Sequence, residues 1–206
     1  MTANLRMGGK ILADGLKAQG VDAIFGVPGE SFLALLDGLY DQRDTIRFIT
    51  CRQEGGAANM AEAYGKLTGR PGVCVVTRGP GATNASVGLH TAFQDSTPMI
   101  LLVGQVGREM LDREAFQEVN HQIFFSEMSK WSAEIKDASR IPEYLSHAFH
   151  VALSGRPGPV VLSLPEDMLR DVAAVEDAPR AIPVQPAPTM EQMSEVREML
   201  QNAERP

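Results

Sequence analysis

The chain alternates between two hydrophobic periods. Ile11, Leu12, Leu16 and Val21 recur at helical spacing, and Gly20 closes that helix. The run 22–27 (DAIFGV) is short and apolar, and Pro28-Gly29 ends it, which predicts a buried strand followed by a turn. Phe32, Leu33, Leu35, Leu36 and Leu39 form the next helical stripe, with Ser31 placed to cap it. The same reading predicts a strand over 46–51, a Gly- and Ala-rich helix over 54–67, a strand over 73–77, a helix over 81–93 and a strand over 99–103. The stretch 107–131 lacks a clear period. A helix over 141–153 and a strand over 160–164 complete the series. Continuous apolar strands separated by helices predict an α/β fold, a doubly wound and mostly parallel sheet with helices on both faces. Ligands in such folds sit at the carboxyl ends of the strands. That points to the loops 27–30, 52–55, 77–84 and 104–107, each of which carries glycine or a polar group.

The tail changes character. Five of the 13 prolines fall in the last 28 residues, and 171–189 reads as an extended linker. Met190, Met193, Val196, Met199 and Leu200 then repeat at helical spacing. The division expected is a domain over 1–170, the linker over 171–189, and over 190–206 the first helix of a further domain in a longer polypeptide. Composition narrows the function classes. Hydrophobic residues make up 44% and charged residues 22%, ordinary for a globular chain. Lys and Arg number 19 against 26 Asp and Glu, for a net charge of −7, and no basic run occurs, so neither nucleic acid nor an anionic membrane is the expected partner. Two cysteines, Cys51 and Cys74, exclude a disulfide framework. Free thiols and a first segment without an apolar core make the cytoplasm the expected location.

Two segments carry candidate chemistry. In Arg52-Gln53-Glu54-Gly55-Gly56-Ala57-Ala58, Glu54 follows a strand and opens a helix. It reads either as a first-turn glutamate complementing the helix dipole or as a functional carboxylate. In Thr77-Arg78-Gly79-Pro80-Gly81-Ala82-Thr83-Asn84, backbone N–H groups at a helix start suit an anion or a flat ring, and a simple tight turn is the competing reading. It is not a dinucleotide fingerprint, since Asn84 replaces the last glycine, nor a P-loop, since no Gly-Lys-Ser/Thr follows. His147 and His150, three apart on a helix, lack a third ligand nearby and read as surface or packing residues. His90 and His121 read as structural.

Taken in order, FGVPGE at 25–30, RQEGGAANMAEAYGKLTGRPGV at 52–73, TRGPGATN at 77–84, DSTPMILLVGQV at 95–106, AFQE at 115–118 and SGRPGPVVLSLPED at 154–167 resemble the N-terminal, pyrimidine-binding domain of thiamine-diphosphate-dependent enzymes, acetolactate synthases above all. The resemblance implies that Glu54 hydrogen-bonds N1′ of the aminopyrimidine and promotes the imino tautomer through which the cofactor loses its C2 proton. It implies that Pro28, Gly29, Thr77, Pro80 and Asn84 line the pyrimidine pocket, and that Gln117 reaches over the thiazolium with Phe116 beside it. Arg156 stands where some members contact FAD, a candidate second cofactor. No Gly-Asp-Gly segment occurs, so the ligands of the diphosphate and its Mg²⁺ are expected outside this chain, and no metal ligand is assigned within it.

The site would then be half built, completed at the interface of a homo-oligomer, at least a dimer, and the fragment alone would not turn over. The activity implied is decarboxylation of a pyruvate-like 2-oxo acid followed by carboligation. The alternatives are another lyase or decarboxylase of the superfamily, or a non-catalytic nucleotide-binding domain. Met110 to Glu114, Val119 to His121 and Trp131 depart from the family's usual pattern on the substrate side.

Overall fold

A computed structural model describes residues 4–184 and 186–205. Its centre is a six-stranded sheet, wholly parallel, in the spatial order β3-β2-β4-β5-β7-β6. The strands are β2 (Ala23–Gly26), β3 (Arg47–Thr50), β4 (Gly72–Thr77), β5 (Met99–Gln105), β6 (Trp131–Glu134) and β7 (Pro159–Pro165). Between them run α1 (Gly8–Ala18), α2 (Leu33–Asp41), α3 (Glu54–Thr68), α4 (Arg78–Gln94), α5 (His121–Phe124) and α6 (Ile141–Leu153).

Successive strand residues feed opposite faces, as the pleat requires. Val73 and Val75 of β4 join Ile100, Leu102, Val160 and Leu162 in a core shared with Ile11, Leu12 and Leu16 of α1, Leu35 of α2 and Leu145 and Phe149 of α6. Cys74 and Val76 join Leu101 and Val103 in a second core with Ala57, Ala58 and Ala61 of α3 and Ala82, Ala85 and Leu89 of α4. The first face is filled by large aliphatic side chains. The second is filled largely by alanines, so α3 and α4 lie close together and close to the sheet. Gly88 of α4 rests on the backbone of Ala58 and Asn59, and Gly72 on that of Ala61.

The chain leaves β2 toward the β3 edge and, after β4, builds in the other direction. The strand order therefore reverses between β2 and β4, and this is the crevice in which parallel sheets of this kind hold ligands.

Three features differ from the sequence reading. The helix expected over 81–93 begins at Arg78, so the Gly-Pro-Gly segment is its first turn. Pro80 is tolerated there because N–H groups of a first turn have no intrahelical acceptor. The irregular stretch yields the short α5 and, at its end, the edge strand β6, which pairs Ala133 with Leu162. A separate antiparallel pair joins β1 (Leu5–Met7) to β8 (Val172–Ala174). The expected linker therefore starts with a paired strand, and the Gln19 side chain holds it further along by bonding Pro179 O and Ala181 N. Beyond it, α7 (Met190–Asn202) opens with a Thr189–Gln192 capping box and is exposed throughout. Among the described residues no helix is long and apolar enough to cross a membrane.

Candidate functional site

The carboxyl ends of β2, β3 and β4 bring the predicted residues to one crevice. Glu54 is the first residue of α3, directly after the β3 loop, and Gln53 caps that helix by accepting the Gly56 N–H at 2.8 Å. The Glu54 carboxylate is half-buried. Its Oε2 accepts from Asn84 Nδ2 of α4 at 2.9 Å, and no partner for Oε1 occurs among the described residues. The pair is set by helix packing one turn below: Glu54 and Asn84 each lie four residues ahead of the Ala58–Gly88 contact, on the same faces of α3 and α4.

The turn after β2 is keyed onto the ends of β4 and β5. A Cβ on Gly29 would lie 2.6 Å from Thr77 Cβ, so only glycine allows that approach. The Ser31 and Thr77 hydroxyls are hydrogen-bonded. Gly104, at the same level of β5, has no side chain because Ser31 occupies that space. Pro28 and Pro80 form the exposed rim, while Gly29 and Thr77 are half-buried beneath it.

The segment between β5 and α5 arches over the start of α4. Gly79 N–H donates to Gln117 O at 2.9 Å. Gln117 itself is half-buried and takes a left-handed φ of 65°, as do Asp112 (61°) and Glu114 (53°). Such angles are uncommon outside glycine. Glu118 holds this loop together. Its carboxylate accepts the N–H of Asp112 at 2.6 Å and of Ala115 at 3.0 Å, and those bonds keep it below the usual carboxylate range. Phe116, beside Gln117, is 74% exposed. The loop is anchored at its end by the buried Gln105, whose Nε2 donates to Val119 O, and by the buried His121, whose Nδ1 bonds Ser163 Oγ at 2.8 Å. Burial pushes the His121 imidazole down to about 4, so it is neutral.

The structure thus gathers Pro28, Gly29, Glu54, Thr77, Pro80, Asn84 and Gln117, with Phe116 exposed beside Gln117. It does not bring Arg156 to them. That guanidinium donates to Ser96 Oγ and the Gln94 carbonyl beyond the C-terminus of α4, at the amino-terminal edge of the sheet. Along β7 this is on the order of 20 Å from the crevice. Arg78 lies within the TRGPGATN motif, yet the sequence assigns it no role. It is buried behind Thr77 and ion-paired with Glu30 and Glu166, and no pattern in the sequence links those three positions.

Chemically, the crevice offers a carboxylate with one free oxygen, an amide that orients it, and a smooth wall of glycine and proline able to face a flat ring. That donor set fits the aminopyrimidine of thiamine diphosphate.

Residues 6–124 match the family described as thiamine pyrophosphate enzyme, N-terminal TPP binding domain, and the chain belongs to that family. Its relatives agree. The acetolactate synthase of Arthrospira platensis is 43% identical over 159 residues, 76% of this chain and 28% of that protein. The probable acetolactate synthase large subunit of Methanocaldococcus jannaschii is 41% identical over 172 residues, 84% of this chain and 29% of its own. The acetolactate synthase isozyme 2 large subunit of Escherichia coli is 36% identical over 201 residues, 97% of this chain and 36% of its own. The chain therefore spans about a third or less of the length of these relatives.

Proposed function

We propose that this chain forms the pyrimidine-binding half of the active site of an acetolactate-synthase-like enzyme, one that decarboxylates a pyruvate-like 2-oxo acid and joins the product to a second carbonyl compound. The observation that carries the proposal is the Glu54–Asn84 pair at the strand-order reversal, with no partner for Glu54 Oε1 among the described residues. Bound thiamine diphosphate supplies the nucleophilic carbon. Glu54 holds a proton at N1′ of its pyrimidine, Asn84 fixes the carboxylate that does so, and Pro28, Gly29, Thr77 and Pro80 wall the ring. Gln117 and Phe116, on the arched loop, stand over the substrate side.

Exclusion of water raises a carboxyl group's affinity for a proton, which suits it to hold and pass one near neutral pH. Within one chain Glu54 is half-buried and Asn84 is exposed. Met60 on α3 and Val87 on α4 leave large apolar side chains exposed near the pair. Both facts support a second copy covering the crevice, in a homo-oligomer of at least two subunits. The diphosphate and Mg²⁺ are assigned to residues outside this chain. An FAD contact at Arg156 would be a separate site at the opposite edge of the sheet. The two unpaired thiols suit a reducing cytoplasm.

The test is Glu54→Gln in the full-length protein. Thiamine diphosphate should still bind while exchange of its C2 proton, followed by NMR, slows by at least a hundredfold. Unchanged exchange would refute the role given to Glu54. Feeding pyruvate should yield acetolactate. Turnover of a different 2-oxo acid instead would move the enzyme to another branch of the family.

A further inference from the structure

We propose that Arg78 is a positioning residue that locks the pyrimidine-binding turn. This rests on the reading of the crevice given above. Arg78 is the first residue of α4, and its backbone is held at a φ of 36°, where glycine sits freely and other residues are strained. The sequence nevertheless places a long cation there. Its side chain is only 9% exposed, and the guanidinium spans two loops: Nη1 donates to Glu30 Oε1 at 3.1 Å and Nη2 to Glu166 Oε2 at 2.8 Å. Nε is buried with no acceptor among the described residues, a cost that the two ion pairs must offset.

The consequence is mechanical. Glu30 adjoins Gly29 in the turn after β2, and Glu166 follows β7, whose loop is itself tied down where Glu166 N donates to Gln105 O at 3.1 Å. One side chain at the end of β4 thereby joins the loops of β2 and β7 across the sheet. It helps hold Pro28 and Gly29 against Thr77 and the first turn of α4, which fixes the wall that the ring would face.

The variants are Arg78→Gly, which removes the clamp and relieves the backbone, and Arg78→Lys, which keeps the charge but has a single ammonium for two loops. Both are made in the full-length protein. Amide hydrogen exchange is read without cofactor, and thiamine diphosphate affinity by calorimetry with Mg²⁺ present. Exchange over 29–32 should rise at least tenfold in Arg78→Gly while amides of β5 stay protected. Affinity should fall tenfold or more, with Arg78→Lys in between. Glu166→Gln should act in the same direction and add little to Arg78→Gly.

Unchanged exchange over 29–32 in both variants overturns the clamp whatever the cofactor is. Raised exchange with unchanged affinity keeps the clamp but overturns its positioning role. A wild-type protein that binds no thiamine diphosphate overturns the crevice reading, and the exchange arm then still decides the clamp.

Discussion

Gly88→Ala tests how the fold sets the site. The added Cβ would lie 2.6 Å from Ala58 Cβ, 2.7 Å from Ala58 C and 2.8 Å from Asn59 N. Carbon atoms in van der Waals contact sit about 3.5–4.0 Å apart, and two of the three obstacles are backbone, so α3 and α4 must part by about 1 Å. Alanine gains about 1 kcal/mol over glycine in helix propensity. Overpacking costs about 1–3 kcal/mol. The net loss of stability is about 1 kcal/mol, a melting point lower by about 2–4 °C for a domain of this size.

The functional effect is larger than the stability effect. One turn away, the 2.9 Å bond from Asn84 to Glu54 would stretch to about 3.9 Å, past hydrogen-bond range. A hydrogen bond to a charged group is worth about 1.5–3 kcal/mol, so thiamine diphosphate should bind at least tenfold more weakly to the full-length variant. The control is Gly56→Ala on the same α3, where a Cβ meets nothing within 4 Å and should stabilise by up to about 1 kcal/mol. Thermal melts and a cofactor titration read both variants. If Gly88→Ala melts at or above the wild-type temperature and keeps its affinity, the helices are not in the tight register argued for.

Two further outcomes follow from single side chains. His121 is neutral when folded, with its value lowered to about 4 from an ordinary 6.5, so the unfolded chain takes up the proton first as pH falls. Stability from this group is complete above about pH 6.5 and falls by about 2 kcal/mol by pH 5, and denaturant midpoints at pH 7.5 and 5.0 should show that loss shrink in His121→Gln. Arg156→Ala should cost up to about 1 kcal/mol through its bonds to Ser96 and the end of α4, yet leave thiamine diphosphate affinity within twofold. An affinity loss at Arg156 would contradict its placement at the far edge of the sheet.

Much of the fold was legible because two periodicities dominate it. The strands over 73–77 and 99–103 are apolar from Val73 to Val76 and from Met99 to Val103 because both of their faces are covered, and the structure buries those residues completely. Strands at the margins were not legible. β6 is an edge strand with only Ala133 fully buried, so the run WSAE has no apolar signature. β1 and β8 are three residues each and pair only with one another, across the whole length of the domain. No local pattern encodes a partner more than 160 residues away.

The site divides along the same line. Glu54 stands at a helix start, where position alone made it a candidate, and the family resemblance marked Asn84, the seventh residue of α4, but only the Ala58–Gly88 packing explains why their side chains meet. The arched loop was opaque because its left-handed residues are Asp112, Glu114 and Gln117 rather than glycines, so the usual turn signal is missing. What holds those angles is the Glu118 carboxylate gripping two backbone amides from inside the loop. This turn, held by its own anion, has no glycine or proline between Asp112 and Glu118 and reads in sequence as a solvated connection. The same bonds argue that Gln117 does not wait for a ligand to be placed: Gly79 N–H already fixes its carbonyl, and only its side chain remains free to swing over the crevice.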